Sequence, residues 1–238
     1  MLKPKSYPEM MGKALVFEAE PFITMTEDDN PWAEGLFMVA LMGLLVGAAR
    51  VIGSLLLSAS MPDPDALLAA MLQGIRQLGP LAASIGLDPA ALEGIAQQWR
   101  DVGFDLFGYG SGWMRLLWLV LAPMMLIGRW LILGLVCHGV ALALGGNGKL
   151  NRTLGATALM AAPQMLMLLQ VIPFVSVSGL LLSVWSALIV YRAIEVSHDL
   201  PWKKAAAVTL TALALLAILT MAGGFMMALI TAVWGGAV

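Results

Sequence analysis

The sequence predicts an all-α, polytopic membrane protein with five transmembrane helices and an extracytoplasmic helical hairpin between spans one and two. Three observations carry this. From Leu154, about forty residues pass without a charge until Arg192, and the run breaks only at Pro173 and around Ser176 to Gly179. A helix of a soluble domain needs a polar face, and this stretch has none. It divides into two apolar segments of roughly 18–20 residues joined by a tight turn, the length a bilayer requires. Second, the chain is 60% hydrophobic and 12% charged, with a mean hydropathy of +0.87; soluble domains carry roughly 25% charged residues. Third, lysine and arginine are distributed asymmetrically between the two sides of the spans.

Residues 1–31 form a cytoplasmic arm ahead of one membrane domain over 32–238. In the arm, Ser6 and Glu9 have capping-box spacing. Tyr7, Met10, Met11, Ala14 and Leu15 recur on one helical face, which predicts a short amphipathic helix on the membrane surface. The acidic cluster Glu27-Asp28-Asp29 reads as a solvated joint. Span one runs from about Trp32 to Leu57, with Asn30 as cap and Pro31 at the first helical position. Its apolar core is too long for a signal peptide, despite the following Ser58-Ala59-Ser60.

The 61–112 loop contains Asp63-Pro64 and Asp88-Pro89, each a cap followed by a first helical residue. Leu67, Leu68, Met71, Leu72, Ile75 and Leu78 then form one apolar stripe. Leu92, Ile95, Ala96, Trp99 and Val102 form another. Asp63, Asp65, Asp88, Glu93, Asp101 and Asp105 outnumber Arg76 and Arg100, so the loop is acidic. It is read as a structural cap on the outer mouth, with a lid over a pathway as the alternative.

Span two covers about Trp113 to Leu144, with Pro123 as a kink; at that length it must tilt or project from the bilayer. Span three covers about Leu154 to Ile172 and contains Pro163. Span four covers about Gly179 to Ile194. Span five covers about Lys204 to Val233, bracketed by Trp202 and Trp234 as interfacial anchors. Lys3, Lys5, Lys13, Lys149, Arg152, Lys203 and Lys204 then fall on one side, with Arg192 at its edge. Arg76, Arg100 and Arg115 fall on the other. The N-terminus is therefore cytoplasmic and the C-terminus outside. The halves show no self-similarity, which weakens an inverted-repeat transporter.

Two groups of residues stand out. Arg50 and Arg129 lie in the outer halves of spans one and two, where a charge at the bilayer centre costs roughly 2.5–3.5 kcal/mol. No carboxylate in the spans matches their depth. They take a lipid phosphate, a bound anion, backbone carbonyls, or Asp101 and Asp105 as partners, or they snorkel to the outer headgroups. At the inner end of span four, Arg192, Glu195 and Asp199 share one face by spacing. Arg192 and Glu195, with His138, Lys149, His198 and Lys204, form an inner contact cluster.

Several chemistries are excluded by pattern. Glu195 and His198 spell E-x-x-H, but a di-iron site needs a second copy and further carboxylates. Cys137 is the single cysteine, so no internal disulfide forms. The 17 methionines spread along apolar helices as filler rather than as copper ligands. Gly145-Gly146-Asn147-Gly148-Lys149-Leu150 lacks the first glycine and the Ser/Thr of a phosphate loop, and reads as a turn after span two. No nucleophile–base pair, metal constellation or cofactor motif is present, so no enzyme and no cofactor is expected. No basic aromatic patch suggests nucleic acid.

The order of landmarks in the second half is distinctive. His138 is followed by Gly145-Gly146, a polar loop with Lys149, Leu154 leading into a span with Pro163, and a short proline-containing outer turn. Glu195-Val-Ser-His198-Asp-Leu and Lys204-Ala205 then lead into the last span. Over about residues 113–225 this resembles the Yip family, the multi-span Ypt/Rab-interacting membrane proteins with prokaryotic relatives. The resemblance implies a five-helix bundle with a cytoplasmic N-terminus. The longer N-terminal region of eukaryotic members, with its acidic leucine-containing motif, is missing, which argues against a Rab-type GTPase partner. The chain looks more like the prokaryotic branch, which implies the cell membrane as its location. The functional expectation is a non-enzymatic protein that organises or shapes membrane and recruits partners through protein and lipid contacts, homo-oligomers included. The alternative is a transporter or channel for an anion or lipid headgroup using Arg50 and Arg129.

The charge asymmetry makes a direct prediction. In a Cys137→Ser background, a single cysteine at Gln77 should react with a membrane-impermeant thiol reagent only from outside. Labelling from the cytoplasmic side alone would invert the topology.

Overall fold

The computed structural model describes residues 4–60, 63–98 and 113–235, and every regular element among them is helical. Five segments are long and apolar enough to cross a membrane: Pro31–Ser60, Arg115–Ala143, Leu150–Val171, Gly179–His198 and Trp202–Ala222. These are the five expected spans, the first four within about four residues of their sequence-based bounds; the fifth apolar segment stops eleven residues short of Val233, although its helix continues to Gly235. The chain clusters into two compact units. One holds the residues up to Met42, Met124–Met165 and those from Ser178 on; the other holds Gly43–Pro123 and Leu166–Val177.

In the first unit the arm forms two helices, α1 (Tyr7–Leu15) and α2 (Glu20–Glu27). The expected apolar face of α1 exists, but it does not face lipid. Tyr7, Met10, Met11 and Ala14 are buried inside the protein, as are Phe22 and Met25 of α2. These side chains pack the arm onto the first turns of span three and onto span four. Two long-range hydrogen bonds fix it. The Tyr7 hydroxyl donates to the Glu34 carboxylate, and Trp185 Nε1 donates to the Leu15 carbonyl at 3.0 Å. Lys13 bridges Glu9 at 3.0 Å and Glu20 at 2.8 Å, tying α1 to α2. The expected capping box is not made: Ser6 caps no backbone N–H and turns towards Met10 Sδ.

Span three departs from α-helical geometry. It is α-helical over Leu150–Thr157 and continues as a 3₁₀ helix over Ala158–Val171. Pro163 explains the change locally, since it removes one donor and its ring opposes the α-helical carbonyl four residues earlier. Neighbouring spans take up freed groups, as hydrocarbon demands: buried Ser186 of span four donates to the Met160 carbonyl at 3.0 Å. Trp130 of span two donates to the Leu154 carbonyl at 3.0 Å. Span two runs on through Pro123 and is preceded by a 3₁₀ turn over Trp113–Leu117.

In the second unit, backbones approach closely at glycines of span one. A Cβ on Gly43 would stand 2.8 Å from the Pro123 Cβ, and one on Gly53 would stand 2.9 Å from the Gln170 carbonyl carbon. Small residues are what membrane helices use to bring backbones together. The loop forms the expected helix pair, Pro64–Ser84 and Pro89–Gln98. Asp63 accepts from the Asp65 N–H and Asp88 from the Ala90 N–H, both at 3.0 Å. Arg76 clips Glu93 at 3.0 Å, and the guanidinium holds that carboxyl below its ordinary range. Of the second apolar stripe, Trp99 and Val102 lie outside the described residues, as do Arg100, Asp101 and Asp105.

The arm contact carries a pH signature. Burial, and then the hydrogen bond and charge of Glu34, push the Tyr7 phenol above its ordinary value of 10.0. The folded arm keeps the proton where an unfolded one loses it, so stability is full below about pH 10 and falls as pH rises above it. The thermal midpoint of the native chain should therefore drop more steeply between about pH 9 and about pH 11 than that of Tyr7→Phe. At neutral pH, Tyr7→Phe should cost about 2–4 kcal/mol by stripping a donor from a buried carboxylate. Equal slopes and equal midpoints for the two proteins would remove the contact from the account.

Candidate functional site

The inner cluster is built from two helix ends and the loop between spans two and three. Span two stops after Ala143 because Gly145 adopts φ +91°. Gly146 N–H then returns to the Ala141 carbonyl at 2.8 Å and Gly145 N–H to Leu142 at 3.1 Å, satisfying the last carbonyls. Span four stops in the same way. Asp199 is left-handed at φ 51°, ψ 43°, and Leu200 N–H returns to the Glu195 carbonyl at 3.1 Å. An aspartate tolerates that conformation better than most side chains. Asp199 therefore leaves the helical face it was expected to share with Arg192 and Glu195.

His198, the last residue of span four, receives the loop. The Gly148 N–H donates to its Nδ1 at 3.1 Å. An accepting Nδ1 carries no proton, so Nε2 carries it, and Nε2 lies 2.9 Å from the Thr153 Oγ1. The ring is thus neutral in this arrangement, because a second proton would have to sit on Nδ1 against the Gly148 donor. Thr153 is also 3.0 Å from His138 Nδ1 and 3.2 Å from the Lys149 carbonyl. The two imidazoles approach to 3.3 Å between His138 Nδ1 and His198 Nε2. Only glycine fits the loop at its contact point: a Cβ on Gly148 would stand 2.9 Å from the His198 Nδ1. From the other side, Lys204 Nζ donates to the Leu144 carbonyl at 3.1 Å, a cation placed at a helix C-terminus.

The expected residues therefore have different positions. His198 and Lys204 meet on the loop, His138 joins through Thr153 and His198, and Lys149 enters by its carbonyl while its side chain is exposed. Arg192 and Glu195 pair one turn apart on span four, as the spacing predicts. Their side chains are 30% and 21% exposed, and the Arg192 Nε is buried without a hydrogen-bond partner among the described residues. Thr153 and Gly148 were not expected. A threonine after a polar loop reads as a helix cap, and nothing in its spacing announces two histidines. Glu34 was missed as well; the only signal was a carboxylate in the first turn of an apolar span.

The two arginines stand in separate units. Arg50 places its guanidinium carbon 3.8 Å above the centre of the Trp118 ring and lines a cavity of about 350 Å³. Arg129 lines an apolar groove of about 650 Å³ with Leu213, Leu216, Leu219 and Thr220. The acids considered as partners, Asp101 and Asp105, lie outside the described residues. No group of three or more metal-ligating side chains occurs among the described residues.

Five apolar helical segments define an integral, multi-pass membrane protein. Its landmarks also define its family: the Yip1 domain model matches residues 15–224, and the chain belongs to the Yip family. No curated protein and no solved structure matches the chain.

The clamp predicts a sharp contrast between neighbouring residues. Gly148→Ala should destabilise the protein by about 1–3 kcal/mol, because the loop must lift off His198 and leave its own donor unpaired. Lys149→Ala should change stability by less than about 0.5 kcal/mol. Thermal unfolding in detergent compares them; an unaffected Gly148→Ala would mean that the loop does not dock on His198.

Proposed function

We propose that this protein is a non-enzymatic organiser of the cell membrane, of the prokaryotic Yip type, which recruits partners and anionic lipid at its inner face. The observation that carries this reading is a division of roles around the clamp. The histidines, Thr153 and the glycines are occupied in holding helix ends. The groups left outside are mainly cationic: Lys149, Arg152 and Lys203 are exposed, with Trp202 and the single acid Asp199 beside them, and the Lys203 ammonium stands 5.6 Å from the Trp202 ring centre. With a cytoplasmic N-terminus, this collar faces the anionic leaflet, where each cation contributes about 1 kcal/mol near the surface. Trp202 suits the headgroup level. The Arg192–Glu195 pair, partly exposed on span four, offers the oriented charge that a protein partner needs. The folded arm is docked against spans three and four rather than free to act as a GTPase-binding tail.

The test is photo-crosslinking in native membrane from a reactive residue placed at Lys149. The native chain should yield lipid and protein adducts. Glu195→Ala should lose the protein adducts, and Arg152→Gln with Lys203→Gln should lose the lipid adducts, with thermal stability kept in both. Unchanged adducts in stable variants would reduce the collar to a solvated helix end. The competing reading, transport of an anion or headgroup along Arg50 and Arg129, instead requires flux in reconstituted vesicles that Arg129→Leu abolishes.

A further inference from the structure

The second unit contains a cavity that the membrane-organising role does not use. It is lined by Arg50, Ser54 and Leu57 of span one, Trp118 of span two, and Gln170 with the Pro173–Ser176 turn after span three. Arg50, Ser54 and Leu57 follow one another by a turn of helix, so they share a face. Gly53 lies between them and packs on the Gln170 backbone, which sets the third wall. Among the described residues, Arg50 is the only charged one in the lining. Its guanidinium stacks on the Trp118 ring, and no acceptor for its N–H groups is found among the described residues. Stacking covers a face of the fork and leaves its in-plane donors for a ligand. Gln170 uses one amide contact on Met167 Sδ at 3.0 Å and retains another donor. Ser176 adds a hydroxyl without a partner among the described residues.

The cavity rim is apolar. Ile172 and Phe174 are 53% and 71% exposed, and Phe174 holds the left-handed φ of 66°. A bulky residue in that region marks a turn fixed by its surroundings.

We propose that this cavity binds a phosphate group, carried by a lipid headgroup or free in solution. A lone, half-buried guanidinium with spare amide and hydroxyl donors matches a singly charged phosphate in charge and in donor geometry. The exposed apolar rim gives the chains of an amphiphile a path to hydrocarbon.

The test uses the purified full chain in a maltoside detergent, whose headgroup carries no phosphate. Three probes are titrated and occupancy is read by native mass spectrometry: dioctanoyl phosphatidylglycerol, dioctanoylglycerol and inorganic phosphate. The native chain should saturate one site with phosphatidylglycerol and ignore dioctanoylglycerol. Arg50→Gln should weaken binding about tenfold or more, the loss expected for a charge-assisted contact, and Gln170→Leu should weaken it severalfold. Competition by inorganic phosphate identifies a free-anion site. Failure to compete, with the lipid still bound, identifies a headgroup site. Gln170→Leu keeps the question open to measurement if Arg50→Gln does not fold. Phosphatidylglycerol binding no better than dioctanoylglycerol, or folded variants that bind as the native chain does, would overturn the proposal.

Discussion

In hydrocarbon an unpaired backbone or side-chain polar group costs several kcal/mol, and water is not there to relieve it. The contact from Gly148 N–H to His198 Nδ1 shows the same pairing of polar groups carried through to the loop that joins spans two and three. One imidazole takes the donor of a loop on one side and offers its remaining N–H to Thr153 on the other. Two helix ends, a loop and a span entrance are thereby held by a single ring. Other fixed points within the first unit obey the same constraint. Trp130 and Ser186 satisfy carbonyls of span three, Trp185 satisfies the end of α1, and Tyr7 satisfies a buried carboxylate. Apolar burial is non-directional, and lipid offers the spans an equally apolar surface. These directed bonds therefore do more than hydrophobic contact to choose which helix faces meet.

The degree to which the sequence disclosed this follows the same physics. Spans were legible because twenty apolar residues in a row have few other uses. The Asp-Pro starts of the loop helices were legible because caps are local: the donor and acceptor lie two residues apart. The i, i+3 pair of Arg192 and Glu195 was legible for the same reason. What failed was any inference that needed a partner distant in sequence. The stripe on α1 was read correctly as apolar and wrongly as lipid-facing, because protein core and bilayer select the same residues. The second arm helix, only eight residues long with a proline in its first turn, left too weak a period to find. Thr153 lies 45 residues from His198, and no spacing rule spans that distance. The extent of 3₁₀ geometry in span three was also hidden, since Pro163 announces a lost donor but not how far the tightening runs.

The family landmarks acquire a physical meaning from this arrangement. Gly145-Gly146, His198 and Lys204 do not resemble one another chemically, yet all act on the loop between spans two and three, where Gly148, not itself a landmark, joins them. Gly145 supplies the left-handed turn, Gly148 the close approach, His198 the acceptor and Lys204 the charge against the helix end. A motif spread over sixty residues is what a clamp on a loop looks like when written in one dimension. The E-x-x-H pattern separates into two roles in the same way. His198 turns inward to the loop, while Glu195 pairs with Arg192 near the surface.

The docked arm bears on how this protein meets the membrane. Its most apolar residues are already buried against spans three and four, so the face that would otherwise lie in the headgroup layer is occupied. What α1 and α2 still present are the exposed Val16 and Ile23 and the Lys13-centred ion pairs. Surface ion pairs of that kind contribute little to stability. They do keep the helix pair soluble where it leaves the bundle. Wedging of lipid by a free amphipathic helix would require the arm to undock, breaking the Tyr7–Glu34 and Trp185–Leu15 contacts and exposing a buried carboxylate. On the membrane-recruiting reading proposed above, attraction at neutral pH then falls to the fixed cations around the clamp, Lys149, Arg152 and Lys203. Their placement depends on the loop that His198 holds and on the helix end that follows it.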